Sequence, residues 1–243
     1  MTTASPAMPP RRSVEILARP MVHLNLPAIE HSLKSVQREF PKINEILQSR
    51  RDSMTDEVVE NMMAGYAFVD SALDRGLDLL DVRHASSLLE LNHIVLCGLD
   101  PAARNEYRQH IEATAERFYH RDGFGIGHIL TRYAKHIHES PWKQAAGVYI
   151  RVLSQPQLYI EGNHRTGALI MSYILTRNDE PPFVLSVENA KAYFDPSTLI
   201  KETQKSVGMG LTKIPRMKVR FAKFLRAQAN RAYLRSLDSA VRS

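Results

Sequence analysis

Apolar residues recur every three or four positions along most of this chain, and that spacing is typical of helices packed on a core. The first apolar face follows Pro27 and predicts a long helix that can bend at Pro41. Its members are Ile29, Leu33, Val36, Phe40, Ile43, Ile46 and Leu47. A second helix is predicted to begin at Ser53 or Thr55, either of which can cap it, and to end near Gly76. The pattern therefore predicts a mainly α-helical protein.

The middle and the C-terminal half of the chain continue the helical pattern. Two shorter helices are expected on either side of Pro196, and the Val-Gly-Met-Gly run at 207–210 then breaks the pattern. In chain order, these helices are predicted at about 85–99, 126–139, 141–155, 163–176, 187–195 and 197–205.

The sequence between residues 100 and 127 gives a mixed signal. Residues 101–108 are typical of a turn and a polar connection, whereas 109–119 fit either a helix or a short hairpin. Alternation of apolar and charged residues over 111–116 favours a strand, and the alanines there favour a helix, so both readings stay open. The glycine run at 122–127 is interpreted as a turn or hinge, because no strand and helix flank it as in a phosphate loop.

The C-terminal segment from Lys213 onward is strongly basic, with nine lysines and arginines against Asp238 alone. It is predicted to form an amphipathic helix to the end of the chain. The apolar stripe consists of Met217, Phe221, Phe224, Leu225, Tyr233 and Leu237. Two interpretations remain open. The helix either docks on the core with a solvated basic face, or binds an acidic partner, nucleic acid or an anionic surface.

Composition narrows the class of protein. An apolar fraction of 44% in 243 residues supports a sizeable core, and no apolar run approaches a transmembrane length of about 20 residues. The N-terminus lacks the apolar region of a signal peptide, so we expect a cytoplasmic location, with secretion by a non-classical route left open. The single cysteine, Cys97, lies in an apolar run and is predicted to be buried.

Candidate chemistry is concentrated in one stretch, Gln157 to Ala168, with the sequence QLYIEGNHRTGA. A polar loop that feeds a helix N-terminus suits an anion, because the first N–H groups of a helix are unpaired. Gly162 allows close approach of the backbone, Arg165 can grip a phosphate, and Glu161 can hold a hydrated divalent cation. The alternative is a capped turn between helices with surface charges.

This stretch resembles the active-site loop of the Fic/Doc (Fido) family, whose pattern is His-x-Phe-x-Asp/Glu-Gly-Asn-x-Arg-x-x-Arg. The core Glu161-Gly162-Asn163-x-Arg165 is kept, and Asn105–Arg108 and 181–193 resemble further family segments. The resemblance implies a mainly α-helical Fic/Fido fold with a small β-hairpin flap near Ile111–Arg121, where a target protein would bind. The domain division that follows is a flexible arm at 1–20, N-terminal helices at 21–80, a Fido core at 81–206 and a basic C-terminal helix at 213–243.

The resemblance also implies roles for single residues. Family members transfer AMP from ATP to a protein hydroxyl with the help of Mg²⁺. By resemblance, Glu161 would hold Mg²⁺, and the amides of Gly162 and Asn163, with the Asn163 side chain, would form an anion hole. Arg165 would contact the β-phosphate, and His164 would face the phosphates of the nucleotide.

Two positions depart from the family pattern. Gln157 stands where the catalytic His is expected, and glutamine cannot accept a proton as a general base. Ala168 replaces a second Arg that contacts the γ-phosphate, which favours a ligand recognised without that phosphate. His164 is a weak candidate for a substitute base, because it lies at the opposite end of the loop from Gln157.

We therefore expect a nucleotide-binding or phosphate-binding Fic-like protein that is impaired in AMP transfer. One alternative is an active nucleotidyl- or phosphotransferase with an altered donor and mechanism. Another is a non-enzymatic interaction module that acts through the basic C-terminal helix.

Overall fold

The computed structural model describes residues 22–119, 124–205 and 210–235, with the backbone alone described at 210–212. This part of the chain contains ten α-helices and one antiparallel pair of two-residue strands. The helices are α1 (Leu26–Ile46), α2 (Asp56–Asp74), α3 (Ala85–Cys97), α4 (Pro101–Glu106), α5 (Arg108–Phe118), α6 (Ile126–Lys135), α7 (Pro141–Leu153), α8 (Asn163–Thr176), α9 (Ala190–Glu202) and α10 (Gly210–Ala227). The strands are β1 (His23–Leu24) and β2 (Leu234–Arg235). The mainly α-helical class predicted from the sequence is confirmed.

Helix α8 lies at the centre of the fold, and every residue from Thr166 to Thr176 is buried. Small residues let its neighbours come close. A Cβ added at Gly167 would lie 2.8 Å from the ring of Tyr149 on α7, and one at Gly65 on α2 would lie 2.4 Å from Leu169. Close packing on two sides therefore fixes the direction in which the N-terminus of α8 points.

One apolar cluster draws on α1 to α3 and on α5 to α10. Its largest fully buried side chains include several tyrosines, whose hydroxyls need hydrogen-bond partners once they are buried. The hydroxyl of Tyr66 donates to the carbonyl of Phe183 at 2.8 Å, and that of Tyr159 donates to the carbonyl of Leu88 at 3.0 Å. These bonds tie the loop before α8 and the segment after it to the surrounding helices.

Several sequence predictions are confirmed. Helix α1 continues through Pro41, and Thr55 caps α2 by accepting a hydrogen bond from the N–H of Val58. Helix α8 spans the predicted residues 163–176. Cys97 is buried, and that burial raises the pKa of its thiol.

The prediction of a turn at 101–108 and the hairpin flap near Ile111–Arg121 are wrong where the structure describes them. Helices α4 and α5 occupy residues 101–106 and 108–118, while residues 120–123 lie outside the described part. Asp100 caps α4 by accepting from two backbone N–H groups. The helical spacing of Thr114 and Phe118 turns both side chains inward, and the Phe118 ring stacks on Tyr159 at 5.5 Å between centroids. This packing outweighs the alternating pattern in the local sequence.

The two short helices predicted around Pro196 form a single helix, α9. Proline removes one backbone donor from a helix interior, which normally favours a break. Here Tyr193, Ser197 and Ile200 form a buried stripe that continues across Pro196, and packing of this stripe holds the helix together. Helix α6 is shorter than predicted and ends at Lys135.

The C-terminal helix was predicted to run to the end of the chain, but α10 ends at Ala227. The chain then turns and pairs β2 with β1, which places Leu234 opposite Leu24. On α10, Phe221 is buried and stacks on Tyr149 of α7 at 4.9 Å. The docked interpretation of this helix is therefore confirmed for the described residues. The predicted arm at 1–20, the break at 207–209 and Leu237 lie outside them.

None of the helices in the described part combines the length and the apolar composition that a bilayer crossing needs.

Candidate functional site

The loop between α7 and α8, residues 154–162, is held from two sides. The Asn163 carboxamide accepts from the N–H of Tyr159 at 3.0 Å and donates to the carbonyl of Tyr159 at 2.9 Å. From α3, the buried Nδ2 of Asn92 donates to the carbonyl of Glu161 and to Oγ1 of Thr166, both at 3.0 Å. The end of the loop is thereby fixed relative to the first turn of α8.

Gly162 occupies the N-cap position of α8 with a φ of +72°, in the left-handed region. A Cβ at this position would lie 2.9 Å from Nδ2 of Asn92 and 3.3 Å from Leu96. Glycine offers no capping side chain, and no hydrogen-bond acceptor in the described part meets the N–H groups of residues 163–165. The helix therefore presents free backbone donors at its positive end.

The His164 side chain is part of a hydrogen-bonded chain that fixes its protonation. Nη1 of Arg51 lies 3.4 Å from Nε2 of His164, and arginine can only donate, so Nε2 is the acceptor. A neutral imidazole then carries its proton on Nδ1, 3.3 Å from the hydroxyl of Tyr149. Tyr149 in turn donates to Oγ of Ser197 at 2.7 Å, and Ser197 donates to the carbonyl of Tyr193 at 2.6 Å.

The surroundings of His164 keep it neutral. Burial, followed by the positive charges of Arg51 and Lys201, lowers the pKa of His164 to about 3. At neutral pH its Nε2 lone pair is already used by Arg51, and its Nδ1 proton by Tyr149. His164 is thus a structural link between α7, α8 and the segment before α2.

Arg165 is half-buried, and its Nη1 donates to the carbonyl of Val95 at 2.9 Å. Burial lowers the pKa of Arg165, and the carboxylates of Glu161, Glu57 and Asp52 offset only part of that effect. None of the carboxylates in the described part lies within 4.0 Å of its guanidinium. Arg165 therefore lacks a close anionic partner.

A cavity of about 250 Å³ opens beside the first turn of α8, and we call it the α8 cavity. Arg51, His164, Arg165 and Ala168 line it together with an apolar wall. That wall includes Leu33, Phe40, Met62, Phe183, Leu185 and Phe194. Arg51 contributes a second positive charge, and its buried Nε has no hydrogen-bond partner in the described part. The Asp52 carboxylate also lines the cavity, which thus combines two guanidinium groups and one carboxylate with an apolar surface.

The other predicted site residues lie apart from this cavity. Gln157 is half-buried, and its carbonyl accepts from Nε of Arg117 at 2.9 Å. Glu161 is exposed, and neither residue lines the α8 cavity. No group of three or more metal-ligating side chains occurs in the described residues. Glu161 therefore offers a single free carboxylate, which suits Mg²⁺ only where ligand phosphates and water complete its coordination.

The sequence predicted that His164, Arg165 and Ala168 belong to one site, and the structure brings them together around the α8 cavity. Two residues of the site, Arg51 and Asn92, were not predicted from the sequence. Arg51 lies in a short polar connection with no periodic signal, so only the fold reveals its contact with α8. Asn92 did carry a signal, because it is a polar residue among the buried positions Leu88, Leu91 and Val95 of α3.

We found no family model, no curated protein and no solved structure that matches this chain.

Proposed function

We propose that this chain binds a phosphate-bearing ligand of the nucleotide class at the N-terminus of α8, as a Fic-like protein impaired in AMP transfer. The observation that carries the proposal is the pair Arg51 and Arg165. Both guanidinium groups border the α8 cavity, and neither has a carboxylate partner within 4.0 Å in the described residues. A bound phosphate would supply the missing negative charge and could accept from the free N–H groups of α8.

The apolar wall of the α8 cavity supports a ligand with a hydrophobic part as well as an anionic one. Phe40, Phe183 and Phe194 offer ring surfaces, and the Arg51 guanidinium lies 5.3 Å from the centre of the Phe194 ring. The cavity volume of about 250 Å³ falls just below the usual range for small-molecule sites, about 300–1,000 Å³. Because Ala168 brings no charge to the wall, AMP or ADP suits the site better than ATP.

Weak or absent AMP transfer follows from the residues available as a base. Gln157 cannot accept a proton, and the lowered pKa of His164 with both ring nitrogens engaged removes the substitute suggested by the sequence. When bound, Mg²⁺ would supply charge neutralisation at the phosphates, and Glu161, the residue before the N-cap of α8, would hold it from outside the cavity lining. The Asn163 side chain serves the loop backbone, so the anion-hole role falls to the backbone N–H groups.

The transfer half of the proposal is tested with α-labelled ATP and candidate protein lysates. Wild type, Gln157→His and Glu161→Ala are incubated in parallel with Mg²⁺, and labelled proteins are separated on a gel. We expect no labelling by wild type and a signal only with Gln157→His. Labelling by wild type that disappears in Glu161→Ala would overturn the impaired-transfer proposal and favour an active transferase with altered chemistry.

A further inference from the structure

Helices α6, α7 and α10 enclose a second cavity of about 480 Å³, which we call the basic cavity. It shares no lining residue with the α8 cavity. Its lysines and arginines come from separate segments of the chain. They are Arg132 on α6, Lys143 and Arg151 on α7, Lys205 after α9, and Lys218 on α10. The fold thus brings five cationic side chains into one concave space.

Carboxylates are scarce among the described residues that line this cavity. Glu139 is the one carboxylate among the lining residues described, and Lys218 donates to both of its oxygens, at 2.8 and 2.6 Å. This leaves Arg132, Lys143 and Arg151 without a carboxylate within 4.0 Å in the described part, and the same holds for Lys205. A patch with this imbalance attracts anions.

Two of these cations are half-buried, and the hydrogen bonds that they make in the described part are to neutral groups. Nη1 of Arg151 lies 3.5 Å from Nε2 of His128, and Nζ of Lys205 donates to the carbonyl of Pro156 at 2.6 Å. Burial and then the neighbouring Arg151 and Arg117 lower the pKa of Lys205 to about 7, and burial and Arg132 lower that of Arg151. The described residues therefore hold partly desolvated like charges together, with no carboxylate of the described part beside Arg151 or Lys205.

We propose that the basic cavity binds a small ligand that carries two or more phosphate groups. The space is larger than one phosphate requires, and four of its lining cations have no carboxylate within 4.0 Å among the described residues. Its concave shape suits a compact molecule enclosed by three helices. The site is independent of the proposed function at α8, because the two cavities have no residue in common.

The test uses inorganic tripolyphosphate as the probe, titrated calorimetrically into the full chain at constant ionic strength. The informative variant is the double substitution Arg151→Gln with Lys205→Gln. The matched control is Arg38→Gln with Lys42→Gln, which removes the same charge from the exposed face of α1. A third variant, Arg165→Met, changes only the α8 cavity.

We expect saturable binding by wild type that weakens about tenfold or more in Arg151→Gln/Lys205→Gln, because charge-assisted hydrogen bonds to phosphate are lost. The α1 control should stay within about twofold of wild type. Arg165→Met, which removes any binding of the probe at the α8 cavity, should retain the binding that Arg151→Gln/Lys205→Gln weakens. Because the double variant relieves repulsion, its melting temperature should not fall. If the melting temperature does fall, a second double variant, Arg132→Gln with Lys143→Gln on the exposed rim of the cavity, is titrated in its place. It should also bind the probe more weakly than wild type. Absence of saturable binding by wild type, an equal loss in the α1 control, or loss only in Arg165→Met would each overturn the proposal.

Discussion

The carboxamide of Asn163 makes two hydrogen bonds to the backbone of Tyr159, one in each direction. Both atoms of the side chain are used, and the residue is almost fully buried. An asparagine at this position therefore closes the loop onto the first turn of α8. The family resemblance assigned this side chain to an anion, whereas in the structure it orders the backbone that presents the amides.

Asn163→Asp tests this clamp with almost no change in shape. The carboxylate keeps an acceptor for the N–H of Tyr159 but places a negative charge against the Tyr159 carbonyl at a buried position. We expect a loss of about 2–4 kcal/mol in the free energy of unfolding, measured by urea denaturation at pH 7. Asn105→Asp, at an exposed position of α4, is the control and should change stability by less than about 0.5 kcal/mol. Similar stabilities for the two variants would contradict the clamp.

Gly162→Ala tests the backbone conformation at the start of α8. The alanine must adopt a left-handed φ of +72° and must also push against Asn92 and Leu96. Gly76→Ala separates these costs, because Gly76 has a φ of +62° with no heavy atom within 4 Å of an added Cβ. We expect a loss of about 1 kcal/mol at Gly76 and about 2–4 kcal/mol at Gly162 in thermal or urea unfolding. Equal losses would show that the contacts around Gly162 give way without cost.

The low pKa of His164 predicts a pH dependence of stability. In the native state His164 takes up a proton only near pH 3, whereas in the unfolded chain it does so near its ordinary pKa of 6.5. Between these values the unfolded state binds one more proton, so acidification destabilises the fold by about 1.4 kcal/mol per pH unit at most.

The measurement compares wild type with His164→Gln in urea unfolding at pH 4, 5, 6 and 7. Other groups titrate in both proteins and cancel in the difference. Wild type should lose stability relative to the variant as the pH falls from about 6.5 towards 4, by at most about 1.4 kcal/mol per pH unit. A difference that stays constant over this range would mean that His164 is not held neutral by its surroundings.

Phe221→Ala tests the docking of the basic helix. Phe221 is buried and its ring lies nearly parallel to that of Tyr149, so truncation leaves a cavity between α10 and α7. We expect a loss of about 3–5 kcal/mol in the free energy of unfolding. Arg220→Ala, at the exposed neighbouring position, should cost less than about 0.5 kcal/mol. If Phe221→Ala left stability unchanged, α10 would be a separate arm, as the interaction-module alternative requires.

The sequence predicted those elements whose local signals agree with their packing. Helix α8 has glycine at one end and an Asn-Asp run at the other, and it is apolar in between, so its bounds were predictable. The alternation over 111–116 favoured a strand, and this prediction was wrong because α5 buries only Thr114 and Phe118 along its length. Pro196 misled for a related reason, because the buried stripe of α9 lies across it and decides the outcome.

The candidate site was predictable only where it lies within one segment. Gly162, His164 and Arg165 follow one another in the chain, and a loop before a helix already indicates an anion. Arg51 lies more than a hundred positions away from His164, and their contact depends on how α2 packs on α8. The protonation of His164 could not be read from the sequence, because burial and Arg51 determine it.

Nucleotide binding at the N-terminus of α8 is tested most sharply by a calorimetric titration of ADP with Mg²⁺ into wild type, Arg165→Met and Arg38→Met. Arg38 is exposed on α1 and serves as the matched charge control. We expect saturable binding by wild type, unchanged within about twofold in Arg38→Met and about tenfold weaker or more in Arg165→Met. Binding by wild type that Arg165→Met leaves unchanged, or the absence of saturable ADP binding by wild type, would contradict a nucleotide site at the N-terminus of α8.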